Sequence, residues 1–103
     1  MLKGVLEGCI LSIIVKRETY GYEILTKLEE AGFQNIGEGT LYPVLTRLEK
    51  KGYILCRKEK SPFGPIRKYY SASDDGIRHF KLFKKSYYEI TDKAMNILGN
   101  EEK

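Results

Sequence analysis

Residues 39–52, Gly-Thr-Leu-Tyr-Pro-Val-Leu-Thr-Arg-Leu-Glu-Lys-Lys-Gly, constrain the fold more than any other stretch of the chain. Leu41, Leu45 and Leu48 recur at i, i+4 and i+7, so a helix here buries one stripe. Thr40, Pro43, Thr46, Arg47 and Lys50 then face away from the core, with Gly39 opening the same candidate surface. Hydroxyls and cations of this kind contact base edges and phosphates, which is how a DNA-reading helix is built. Pro43 removes one helical hydrogen bond, the one to the Gly39 carbonyl, and predicts a local bend or an opened bond rather than a broken helix.

The charge of the chain is concentrated around that helix. Lys and Arg against Asp and Glu leave −2 on residues 1–39, +6 on residues 40–70 and 0 on residues 71–103, within a total of +4. A patch of this kind supplies what phosphate binding needs, because each neutralised phosphate releases counterions. Evenly mixed charge is the norm on surfaces with no such partner.

On either side of this helix the pattern is equally directive. Val5, Leu6, Cys9, Ile10, Ile13 and Ile14 give residues 2–15 the wide apolar stripe of a core helix. Thr19 reads as an N-cap for a second helix over 20–31, with Ile24, Leu25 and Leu28 inward, Gly32 ending it and Phe33 packing back. Gly37 starts the third helix. Residues 53–59 and 67–71 read as two β-strands around Lys60-Ser61-Pro62-Phe63-Gly64-Pro65-Ile66, whose two prolines and glycine make a loop. Three helices followed by a two-stranded ribbon is the order of a winged helix-turn-helix.

A last helix, capped by Ser73 and complemented by Asp74 and Asp75, is expected to reach Leu98. Phe80, Phe83, Tyr87, Ile90, Ala94 and Ile97 follow the 3,4 spacing of a coiled-coil seam, which points to a homodimer. The aromatic residues Phe80, Phe83, Tyr87 and Tyr88 have a second reading, as the lining of a pocket for a small hydrophobic effector. The absence of Trp and the heptad spacing favour the seam. His79 is read as a surface or interface residue. The expected class is therefore mainly α with a two-stranded β-wing (α+β), divided into a DNA-binding domain (1–72), a dimerisation helix (73–98) and a charged tail (99–103).

At 103 residues the chain affords one core and at most one site, short of what a stand-alone enzyme with a deep cleft uses. Two isolated cysteines and a single histidine do not close a metal site, so no metal and no cofactor are expected, and Cys9 and Cys56 are read as buried free thiols. The longest apolar run, residues 9–15, falls far short of the roughly 20 residues of a membrane span. A cytoplasmic protein with no membrane partner is expected.

The Gly39–Gly52 motif, preceded by Tyr20-Gly21-Tyr22-Glu23-Ile24 and followed by Arg67-Lys68-Tyr69-Tyr70, resembles the PadR-like transcriptional regulators over nearly the whole chain. The resemblance implies a prokaryotic winged-helix DNA-binding homodimer, usually a repressor, of the short subfamily with one C-terminal dimerisation helix. It places Tyr22 and Tyr42 on the DNA-facing surface near the backbone, the outer face of the third helix in the major groove, and Arg67 and Lys68 in the wing. Tyr20 shares the context of Tyr22 and Tyr42, and Lys60 flanks the wing loop with Arg67 and Lys68. Two positions depart from the family pattern. Gly64-Pro65-Ile66-Arg67 lacks the additional Arg of a Gly-Arg-Pro-Arg wing, and Gly37 stands where Ser is frequent. The alternative class is a winged-helix module that docks a protein instead of specific DNA.

Overall fold

The computed structural model describes residues 2–99, with side chains from residue 4, so the tail expected over 99–103 lies, beyond Gly99, outside the described residues. The order is α1 (Leu2–Lys16), β1 (Thr19–Tyr20), α2 (Gly21–Glu30), α3 (Glu38–Lys50), β2 (Ile54–Glu59), β3 (Arg67–Ala72) and α4 (Asp74–Leu98).

Helix α1 is the central strut because its apolar residues fall on more than one side. Leu6, Ile10, Leu11 and Ile14 are buried, and Cys9, Ile13 and Val15 pack against the same core. Against it α2 sets Ile24 and Leu28, and α3 sets Leu41, Val44, Leu45 and Leu48. Both α2 and α3 stop by the same device. Gly32 (φ 109°) and Gly52 (φ 79°) take the left-handed conformation. The amides of Phe33 and Tyr53 then turn back to the Leu28 and Leu48 carbonyls, each at 3.0 Å. Phe33 and Tyr53 pack onto the core, as the reading of Gly32 and Phe33 requires.

Two features differ from the sequence expectation. Thr19 does not cap α2. The N-cap is Tyr20, which lends no side-chain bond, while Thr19 is buried in a strand and its hydroxyl donates to Glu23 Oε1 at 2.6 Å. That strand, β1, makes the ribbon a three-stranded antiparallel sheet of order β1-β3-β2, in which Thr19 faces Tyr70 and Tyr20 faces Tyr69. Two residues carry too little pattern to announce a strand; their pairing with β3 makes them one. Helix α3, by contrast, continues unbroken through Pro43 to Lys50, as expected. The carbonyl that Pro43 leaves without a helical donor belongs to Gly39, which is exposed.

Ser73 caps α4 as its sequence implies, accepting from the Gly76 amide at 3.0 Å, and its hydroxyl also donates to the Gly52 carbonyl at 2.6 Å. The start of α4 is thereby tied to the turn after α3. Phe83 lies against Gly8 of α1 so closely that a Cβ on Gly8 would overlap its ring, and Phe80 packs on the core. Beyond these residues α4 leaves the domain. Ile90 and Ile97 are 59% and 79% exposed, and the molecule reaches 60 Å in its longest dimension against 29 and 20 Å in the others.

Candidate nucleic-acid interface

On α3 the buried positions 41, 44, 45 and 48 define an inner side, and the 100° step per residue puts Gly39, Pro43, Thr46 and Lys50 opposite it. All four are exposed, as is Thr40 on one flank. Tyr42, on the other flank, is 40% exposed and its hydroxyl sits directly over Gly21, the first residue of α2. Only a glycine leaves room there. Tyr22, one residue further on α2, stands in solvent.

Arg47 is the exception among the outward residues. It lies on the flank that meets α1, where Nε and Nη2 both donate to Glu7 Oε1 at 3.3 and 2.9 Å. Its guanidinium is engaged within the chain and does not point out with Thr46 and Lys50.

The sheet contributes the opposite wall. Successive residues alternate between faces, so Thr19, Cys56 and Tyr70 turn inward while Tyr20, Arg57 and Tyr69 form a cross-strand row outside. Arg67 lies 4.5 Å over the Tyr20 ring, Tyr20 meets Tyr69 edge to face at 5.7 Å, and Arg57 lies 4.6 Å over the Tyr69 ring. The row alternates cations and rings, an arrangement that holds both guanidinium groups in place. Arg57 is also gripped by Glu18 at 2.7 and 2.9 Å, and this charge-assisted pair holds the Glu18 carboxyl below its ordinary range. The Thr19 hydroxyl, aided by Arg17, does the same for Glu23. Among the described residues Arg67 forms no such ion pair, although Glu59 stands opposite it in the register. Nor, among the described residues, does any carboxylate lie within ion-pair distance of Lys50, Lys60 or Lys68.

Between the two walls runs an open cleft of about 760 Å³. Gly21, Tyr22, Glu38 and Tyr42 line it from the helices; Tyr20 of β1 and the stem and loop of the wing, including Glu59, Lys60, Arg67, Lys68 and Tyr69, line it from the sheet. Six of the residues singled out in the sequence thus meet in one place: Tyr20, Tyr22, Tyr42, Lys60, Arg67 and Lys68. Gly39, Thr40, Pro43, Thr46 and Lys50 lie on exposed α3 outside the cleft lining. Sequence reading missed Arg57, Glu18 and Tyr69 as organisers of the wing base. Tyr69 stood in the quoted Arg-Lys-Tyr-Tyr motif, but the partners of Arg57 depend on strand register.

Burial pushes the Tyr70 hydroxyl up to about 12 and raises the Cys9 thiol, and both cysteines are half-buried free thiols. Among the described residues there is no cluster of three metal-ligating side chains and no helix long and apolar enough to cross a membrane.

Comparison with known proteins agrees with this architecture. The sequence profile of the "Transcriptional regulator PadR-like family" matches residues 10–82. A PadR-like transcriptional regulator from Bacillus cereus is similar in structure with a TM-score of 0.86 and 46% identity, covering 98% of each chain. A Streptococcus transcriptional regulator matches with a TM-score of 0.83 and 44% identity over 93% of this chain and 94% of its own. An uncharacterised protein X from Lysinibacillus sphaericus is 34% identical over 95 residues, 89% of this chain and 86% of the relative.

Proposed function

The chain belongs to the PadR-like transcriptional regulator family, and from that premise we propose that it is a sequence-specific repressor binding an inverted-repeat operator as a homodimer. Family membership implies DNA-binding regulation. The observation that carries the finer reading is the convergence of Lys60, Arg67 and Lys68, none in an ion pair among the described residues, on the cleft that Tyr22 and Tyr42 share. Phosphates satisfy such cations. The exposed face of α3, with Thr46 and Lys50 outermost, takes the major groove, and its hydroxyl and ammonium donors read base edges. Tyr22 and Tyr42 take the backbone beside it.

Homodimerisation sets two α3 helices in successive major grooves, so half-sites lie about 10 bp apart or a multiple of that. The distal half of α4, exposed at Tyr87, Ile90 and Ile97, is the proposed interface. A small hydrophobic effector entering between the paired helices, beside Tyr87 and Tyr88, releases the operator.

The test is selection from a randomised duplex pool followed by titration against salt. The protein should enrich an inverted repeat. Lys68→Ala should weaken binding about uniformly across sequences and flatten the slope of log affinity against log salt by roughly one unit. Failure to enrich any repeat refutes the proposal, and an unchanged slope with altered sequence preference would make Lys68 a base reader.

A further inference from the structure

The tip of the wing carries a side chain that nothing in the fold uses. Phe63 is 98% exposed and Ile66 57% exposed, in a loop that also holds Pro62 and Pro65. Among the described residues no ring lies against Phe63. The loop is nevertheless shaped: the Phe63 amide donates to the Ser61 hydroxyl at 3.3 Å, and each proline fixes one backbone dihedral. The tip thus presents Phe63 and Ile66 together as an exposed apolar surface on a stiffened loop.

The stem beneath the tip carries several cations. Lys58 and Lys68 are direct partners in the β2–β3 register, and like charges placed opposite each other repel unless an anion lies between them. Lys60 and Arg67 add two more cations at the same end of the ribbon, and all but Lys58 line the cleft shared with α2 and α3. Arg67 stands on the alternate face opposite Glu59, whose carboxylate pairs with Arg57. A cationic stem under an apolar tip, beside the cleft shared with α2 and α3, fits phosphates flanking the stem and a stacked, apolar interior receiving the ring.

We propose that Phe63 is a minor-groove wedge, which unstacks a base step beside the half-site read by α3. The proposal rests on the DNA-binding reading and deepens it. Insertion of an apolar side chain between base pairs kinks the duplex, and the energy it costs depends on the step deformed. Flexible pyrimidine–purine steps, TA and CA, are therefore preferred where the wing lands, without any hydrogen bond to a base. The wing of this chain lacks the Arg of the Gly-Arg-Pro-Arg pattern; it selects sequence through deformability instead.

The experiment uses the full chain and a 40-bp duplex bearing the repeat enriched from a random pool. Donor and acceptor dyes at its ends report bending, and 2-aminopurine at the flanking pyrimidine–purine steps reports unstacking. Wild type should bend the duplex and raise 2-aminopurine fluorescence. Phe63→Ala, at a site too exposed to matter for folding, should abolish both, lose the flanking-step preference and bind about tenfold more weakly, with the half-site consensus intact. Phe63→Leu should restore most of the bend. Identical bending and fluorescence with Phe63→Ala would overturn the wedge while leaving the DNA-binding reading in place. Failure of wild type to enrich any sequence would overturn both. Phe63-dependent binding to phosphatidylglycerol vesicles, with no change in duplex bending, would assign the tip to a membrane surface and likewise overturn the wedge.

Discussion

Arg47 on α3 and Glu7 on α1, forty positions apart, form an ion pair in which one carboxylate oxygen accepts both Nε and Nη2 of the guanidinium. The pair is partly shielded, with side chains 39% and 20% exposed. It clamps the middle of α3 to the helix that also receives Phe83 of α4. The rotation of α3 about its axis is therefore held by the packing of Leu41, Val44, Leu45 and Leu48 together with one electrostatic strut.

The first prediction follows from that strut. Because the guanidinium is spoken for, Arg47→Ala should leave discrimination between operator and random DNA unchanged. Stability should fall by about 1 kcal/mol or less, the range of a partly exposed pair. Urea denaturation and paired binding titrations measure the two effects. A loss of discrimination by an order of magnitude would mean that Arg47 leaves Glu7 to read a base on binding.

The same residue marks the limit of what the sequence discloses. Helix termini were legible because their causes are local: Gly32 and Gly52 sit one residue past the cap, and Ser73 sits three before Gly76, whose amide it accepts. The inner stripe of α3 was legible from period alone. Arg47 was not, because a helical flank faces out or meets a neighbour according to where α1 lies. Thr19 failed for the same reason: its hydroxyl suits a cap, but the pairing of Thr19 and Tyr20 with Tyr70 and Tyr69, about fifty residues away, converts the segment to a strand. Tyr20, Tyr22, Tyr42 and the wing cations meet in one cleft only through that sheet.

Acid should weaken the fold through Glu18 and Glu23. Both carboxyls are held below the ordinary glutamate value of 4.5, Glu18 chiefly by Arg57 and Glu23 chiefly by the Thr19 hydroxyl. The unfolded chain then binds protons before the native one does. The contribution of each group is complete above the unfolded value and is lost as pH falls through 4.5 toward the lower folded value. Thermal melting temperature should decline over that window, and Glu18→Gln should decline less steeply than wild type. Parallel acid limbs for the two proteins would show that the Arg57 pair contributes nothing to folding.

Two glycines should respond oppositely to alanine. A Cβ on Gly76 overlaps the Tyr53 carbonyl, a backbone atom that cannot step aside without moving the start of α4. Gly76→Ala should therefore cost about 1–3 kcal/mol, the range for forced overpacking. Gly39, exposed inside α3, has no other atom within 4 Å of the same position. Gly39→Ala should gain about 0.5–1 kcal/mol from helix propensity. It should also weaken operator binding if the backbone there approaches DNA. Denaturant midpoints decide the stabilities, and a neutral Gly76→Ala would show that the α3–α4 junction is pliable.

The dimer prediction turns on dividing α4 into a half that belongs to its own domain and a half that does not. Its 25 residues span roughly 37 Å at the helical rise. Phe80 and Phe83 are occupied within the chain, so replacing Phe83 with a charge would unseat α4 from Gly8 and confuse folding with assembly. Ile90 and Ile97 are mostly exposed and lie on the side of α4 that Ala94 shares. Ile90→Glu combined with Ile97→Glu should therefore leave a folded, helical chain that sediments as a monomer where wild type sediments as a dimer at micromolar concentration. With the two α3 helices unlinked, the variant should bind an inverted repeat no better than an isolated half-site. A monomeric wild type, or a double variant that still sediments as a dimer, would remove this half of α4 as the interface.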